Sequence, residues 1–148
     1  MSGAVMVALA FAFLGGVGIA TQAPINAALA KTLGGNITAA AISFGVGFAI
    51  LLVAALAREG LPETSAIRSA PWWAWIGGAL GAIYVWAAIS SVGTLGVVTL
   101  IAAVILGQLL AALVLDATGA FGLQVQEIGW TRIAAVLLVL CGLILSRV

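Results

Sequence analysis

The feature that most limits what this chain can fold into is where its charges are missing. No Asp, Glu, Lys, Arg or His occurs at residues 4–30, 37–57, 71–90 or 95–115, and residues 130–146 contain only Arg132. A membrane-crossing helix needs about 20 mostly apolar residues, because the hydrocarbon core is about 30 Å thick and a helix rises about 1.5 Å per residue. Five stretches of about that size use up most of the chain. A soluble domain carries roughly a quarter charged residues, whereas 6% are charged here and 65% are hydrophobic. A water-exposed surface cannot be built from this composition. The expected fold is an all-α membrane protein: one domain, residues 1–148, with five transmembrane helices at about 4–30, 37–57, 71–90, 95–115 and 130–146.

The same composition removes several classes of function. A net charge of +1 with no basic stripe argues against nucleic acid as a partner. With no histidine and one cysteine, Cys141, neither a disulfide framework nor an ordinary zinc site is expected. No cofactor is implied. An enzyme is not expected either, since no nucleophile–base pair or metal cluster is visible. Cys141 is expected to be a small buried hydrophobe. The run after Met1-Ser2-Gly3-Ala4 has no leading Lys or Arg and is too long for a signal-peptide core, so it is expected to be a retained first span.

Turn chemistry sets the expected boundaries. Lys31 and Gly34-Gly35-Asn36 close the first helix, with Asn36 as N-cap of the second. Arg58 to Ala70 forms the longest polar loop. Pro71 opens the third helix at its first turn, where a missing N–H costs nothing. Trp72, Trp73 and Trp75 follow and, with Trp130, are expected to anchor the chain at the interface. Ser91-Val92-Gly93-Thr94 turns the chain into the fourth helix, and Asp116 to Gly119 ends it. Asp116 is expected near the interface, in reach of Arg132.

Five spans place the termini on opposite faces. One face carries Arg58, Arg68 and Arg132, and the other carries Lys31 and Arg147. Orientation follows the excess of Lys and Arg, and an excess of one residue is what a chain inserting both ways would have.

Helices in lipid associate through close approach of small residues and through interhelical hydrogen bonds. Gly47, Gly77, Gly78, Gly81 and Gly107 mark candidate packing surfaces, within the chain or against a partner. Polar groups inside the spans are few. Gln22 and Asn26 are four residues apart on one face of the first helix. Pro24 between them cannot donate to the Ala20 carbonyl, so a free acceptor and a kink are expected. Gln108 is deep in the fourth helix, and Ser43 and Tyr84 are further candidates. An amide pair beside a spare carbonyl suits a small polar or cationic solute. Gln22 lies about 7 Å past the middle of its span and Gln108 about 4 Å past the middle of its own, toward the other face. In an antiparallel homodimer, Gln108 of one chain comes level with Gln22 of the other. That level match suggests a two-fold polar pathway lined by Gln22, Asn26 and Gln108.

Four blocks carry a resemblance: Gln22-Ala-Pro-Ile-Asn26-Ala-Ala-Leu29-Ala, Ala40-Ala-Ile-Ser43-Phe44-Gly-Val-Gly47, Pro71-Trp72-Trp73-Ala-Trp75-Ile-Gly77-Gly78-Ala-Leu-Gly81, and Gly107-Gln108-Leu through Leu115-Asp116. Together they resemble the YdcZ-like inner-membrane exporter family of the drug/metabolite transporter superfamily, over nearly the whole chain. The resemblance implies a multi-pass inner-membrane unit of five helices. By the same resemblance it would be half of a ten-helix inverted-repeat bundle, completed by an antiparallel homodimer of dual topology. The four-helix small multidrug resistance proteins are relatives that use a glutamate in their first helix. This chain has none, so their proton-coupled cation exchange is not implied.

The leading expectation is a homodimeric small-solute transporter working by alternating access, its export direction implied by resemblance alone. A passive channel or facilitator needs no coupling carboxylate and is the second class. An accessory subunit of a larger membrane complex is the third. The bilayer and an unidentified small-molecule substrate are the implied partners.

Overall fold

A computed structural model describes residues 3–148. Among them the secondary structure is helical throughout, with no strand. The chain divides into two compact units that meet in sequence at Gly93 and Thr94.

The first unit is built on α1 (Gly3–Leu33) packed against α2 (Asn36–Arg58). Gly34 makes their tight connection possible. It sits at φ +75°, a left-handed conformation that costs a residue with a Cβ roughly 1–2 kcal/mol. The Gly35 N–H then returns to the Ala30 carbonyl at 3.1 Å, closing the end of α1 as glycine C-caps do. A short helix, α3 (Thr64–Ser69), and a 3-10 turn at Trp72–Trp75 lead into α4 (Ile76–Leu95).

Small side chains decide where these helices meet. Ala30, Ala39, Ala40, Val85 and Ile89 form the core, and Ala39 is wholly buried. Lipid tails are as apolar as leucine, so large apolar residues gain nothing by turning inward, while alanines let backbones approach. Phe11, Phe13, Leu51 and Leu80 accordingly stay on the outside. Gly81 accepts the Phe44 ring, which lies 3.3 Å from where a Cβ would be. One polar tie joins α2 to α4: Asn36 Nδ2 donates to Ser90 Oγ at 3.0 Å, and that hydroxyl donates to the Trp86 carbonyl at 2.8 Å.

The second unit is a hairpin of α5 (Val97–Thr118) and α6 (Trp130–Leu145). Both of its ends are pinned. At one end the Ser146 hydroxyl donates to Thr99 Oγ1 at 3.1 Å, and Thr99 is buried. At the other end Arg132 pairs with Asp116. Gly119 terminates α5 at φ +62°, its N–H on the Leu115 carbonyl at 2.9 Å. The chain then doubles back until the Gln126 N–H reaches the Asp116 carbonyl at 2.8 Å.

Among the described residues four helical segments are long and apolar enough to cross a membrane: Gly3–Leu33, Asn36–Arg58, Trp72–Leu95 and Val97–Thr118. The fifth apolar helix, Trp130–Leu145, has 16 residues and rises only about 24 Å.

Several local expectations are corrected. Asn36 is not the N-cap of α2. Gly35 holds that place, and the Asn36 amide is spent on Ser90 instead. Pro71 precedes the helical turn rather than opening it, with ψ 143°, and the first turn after it is 3-10. The polar loop contains α3. Ser91 to Thr94 do not turn the chain, because α4 continues to Leu95 and breaks at Gly96, φ +74°. Serine and threonine are easily carried by a helix whose alternative is an unsatisfied backbone in lipid, and the break waits for a glycine. Cys141 is exposed, not buried. In a spanning helix an apolar residue faces lipid as readily as protein. Pro24 lies inside α1, where the sequence placed it, and the helix continues beyond it.

Candidate functional site

The buried face of α1 begins only in its second half, with Ala23, Asn26 and Ala30 at three- and four-residue intervals. Two of these are alanines. The third is an asparagine, 4% exposed, whose Nδ2 has no hydrogen-bond partner. A buried donor left unpaired costs about 1–3 kcal/mol, and such groups are uncommon in native folds.

Asn26 does not stand alone. It lines a narrow recess between α1 and α4 together with Gln22, Ala23, Tyr84, Val85, Ala88 and Ile89. Gln22, one turn before Asn26, is half-buried, as is Tyr84. The recess is closed tightly enough to leave no space for a water molecule. Gln22 also faces the other way, into an open groove of about 340 Å³ that it shares with Ser43, Phe44, Gly47, Phe48 and Leu51. Four of the polar residues singled out in the sequence, Gln22, Asn26, Ser43 and Tyr84, are thus gathered on α1, α2 and α4, around two hollows with Gln22 in common. Their side chains offer amide and hydroxyl groups that both donate and accept. No Asp, Glu, Lys or Arg lines either hollow.

Gln108 belongs to the second unit and is exposed on α5. That unit has a hollow of its own, about 190 Å³, with Leu109, Ala112, Leu113, Ala135 and Val136 as walls and the Asp116–Arg132 pair at its edge. Gln126 braces the arginine, Oε1 accepting from Nη2 at 3.4 Å. The pair's side chains, 39% and 36% exposed, are only partly enclosed by the protein. We read it as a clamp on the hairpin. Sequence reasoning placed Asp116 near Arg132 but missed Gln126 and the Thr99–Ser146 tie. The Gln126 tie depends on the backbone doubling back after Gly119, and the Thr99–Ser146 tie joins residues 47 apart, which no local spacing encodes.

The candidate packing glycines separate sharply. Gly81 meets Phe44, whereas a Cβ at Gly47, Gly77 or Gly78 would meet nothing of its own unit, and the same holds for Gly107. Trp72, Trp75 and Trp130 are well exposed and Trp73 about half as much, each at or just before the start of an apolar helix. Among the described residues, no three of His, Cys, Asp and Glu come together in a way that could hold a metal ion.

The sequence matches the protein family described as "Putative inner membrane exporter, YdcZ" over residues 7–145. It is 26% identical over 140 residues to the inner membrane protein YdcZ of Escherichia coli (strain K12), covering 94% of each chain. No solved structure matches it.

Proposed function

The chain belongs to the YdcZ family of inner membrane exporters, and from that premise we propose that it carries a small solute across the inner membrane as an antiparallel homodimer by alternating access. The observation that carries this reading is Asn26: buried, unpartnered, and flanked by Gln22 and Tyr84 in a chain of an exporter family. A polar group held unsatisfied inside a membrane helix has a cost that selection tolerates when a ligand satisfies it. Gln22, Asn26, Ser43 and Tyr84 line the pathway from one chain, and Gln108 comes to it from the second. The inverted pairing is supported by the near balance of Arg58, Arg68 and Arg132 against Lys31 and Arg147.

Orientation is tested by replacing Cys141 with serine, placing a single cysteine at Ala66 in the exposed α3 segment, and labelling intact cells from outside. About half of the molecules should label. Labelling of all or none fixes one orientation and removes the inverted homodimer. The pathway is tested in proteoliposomes. Gln22→Ala and Gln108→Ala should each lower solute flux by about tenfold or more, the loss of one or two hydrogen bonds in the transition state, while the dimer persists on size-exclusion. Unchanged flux in both variants would remove the glutamines from the pathway.

A further inference from the structure

The geometry points to an uncharged solute with a carboxamide or urea-type group, a carbonyl oxygen next to an N–H, as the class of ligand that Asn26 and Gln22 bind. This inference rests on the transport reading of the same recess.

Charge is the first discriminator. None of the residues lining the recess is an acid or a base apart from the phenol of Tyr84. The spans that form it, 3–30 and 76–95, contain no Asp, Glu, Lys, Arg or His. A cation entering here would leave water without a counter-charge, and desolvated charges are held only where they are paired. An anion fares no better. Lys31, the nearest cation along α1, is five residues from Asn26, which puts it about 140° round the helix, and it is exposed.

Hydrogen-bond grammar is the second discriminator. Asn26 brings an N–H that has no partner beside its own carbonyl oxygen. A ligand that satisfies both atoms needs an acceptor and a donor side by side, which is the pattern of another amide. The match survives exchange of the amide's O and N, since a donor–acceptor pair complements its own reverse. Gln22, one turn away on the same wall, repeats the pattern, and Tyr84 adds a hydroxyl from α4. Size is the third discriminator. Asn26 is 4% exposed, so a side chain from a second protein cannot reach it while the recess is closed. The partner is a small molecule that enters when α1 and α4 part.

Three small probes that each carry an amide and differ in charge test the class: N-acetylglycinamide, which is neutral, glycinamide, a smaller cation, and N-acetylglycine, an anion of nearly the same size as the first. The purified full chain in lipid nanodiscs is melted with each probe, since a ligand that binds the folded state raises the melting temperature with concentration. N-acetylglycinamide should shift the midpoint at concentrations about tenfold or more below those of its charged counterparts, the discrimination expected when a charge is desolvated with no partner. Asn26→Leu should abolish the shift. A larger shift with glycinamide or N-acetylglycine, equal shifts from all three, or no shift from any would each overturn the inference. Uptake of the same probes into proteoliposomes separates the two claims. Flux of a charged probe without flux of the neutral one leaves the transporter standing and removes the neutral amide class. A midpoint shift specific to N-acetylglycinamide with no flux of any probe leaves the binding class standing and removes transport.

Discussion

Asn26→Leu should make the folded chain more stable and leave it unable to move its solute. Leucine keeps the branched outline of asparagine, slightly enlarged, and removes a buried donor that nothing in the fold satisfies. The relief is about 1 kcal/mol or more, within the 1–3 kcal/mol that an unpaired buried polar group costs. Stability and function then move in opposite directions, as they do where a site is kept at the expense of the scaffold. Thermal melting in detergent reads the first effect. Flux in proteoliposomes reads the second, expected to fall by about a hundredfold, since the amide contributes both a donor and an acceptor to the bound solute. A lower melting temperature in Asn26→Leu would mean that the amide ties helices together in the membrane, and the recess would lose its claim to be a site.

The largest structural effect is expected at the other end of the chain. Gly119→Ala should destabilise the second unit by about 2–5 kcal/mol, combining the cost of a left-handed residue with that of overpacking. A Cβ at Gly119 would lie 2.8 Å from Val125 Cγ2 and 3.0 Å from the Leu123 carbonyl oxygen. The methyl can turn aside, but the backbone oxygen cannot. This corner also sets the Gln126 N–H on the Asp116 carbonyl and so holds the carboxylate that Arg132 grips. Gly122 is a built-in control. Its φ of +82° is equally left-handed, but the space around it is open, so Gly122→Ala carries the backbone cost alone. Denaturant unfolding of the two variants in the same detergent compares them. Equal losses would show that the 119–125 corner is not closed in the membrane.

Sequence and structure agree where physics acts locally. The spans are legible because hydrocarbon thickness imposes a minimum length on an uncharged helix, and the four long helices follow that rule. Gln22 and Asn26 share a wall because residues four apart on a helix must. The Asp116–Arg132 contact follows from a helix end and a helix start joined by a short connection. What was not legible shares one cause. In a bilayer the outer face of a helix is as apolar as the packed face, so composition does not say which way a residue points. That is why Cys141 lies outside, and why Gly81 meets a neighbour while Gly77 and Gly78, on the same helix, meet none in their unit. The break after α4 fell at Gly96 rather than at Ser91 to Thr94 for a related reason, since small polar residues are ordinary members of a membrane helix. The depth of Asn26 was likewise hidden. Its face could be inferred, but that alanines and α4 seal it from solvent is a matter of tertiary contact.

Helix length carries a last consequence. With 31 residues, α1 rises about 46 Å, while α6 with 16 rises about 24 Å. A hydrocarbon slab near 30 Å thick matches neither. Standing upright, α1 would project by more than two turns. Its first seventeen described residues, 3–19, are exposed and almost wholly apolar, so water is a poor place for that overhang, and leaning into the slab is the remedy open to it. For α6 the remedy is the reverse, a local dimple in the leaflet or Arg147 reaching up to the headgroups. With α6 as a fifth span, hydrophobic mismatch would run in both senses within one polypeptide, and the thickness of the surrounding lipid would enter the energy of the protein as a variable of its own.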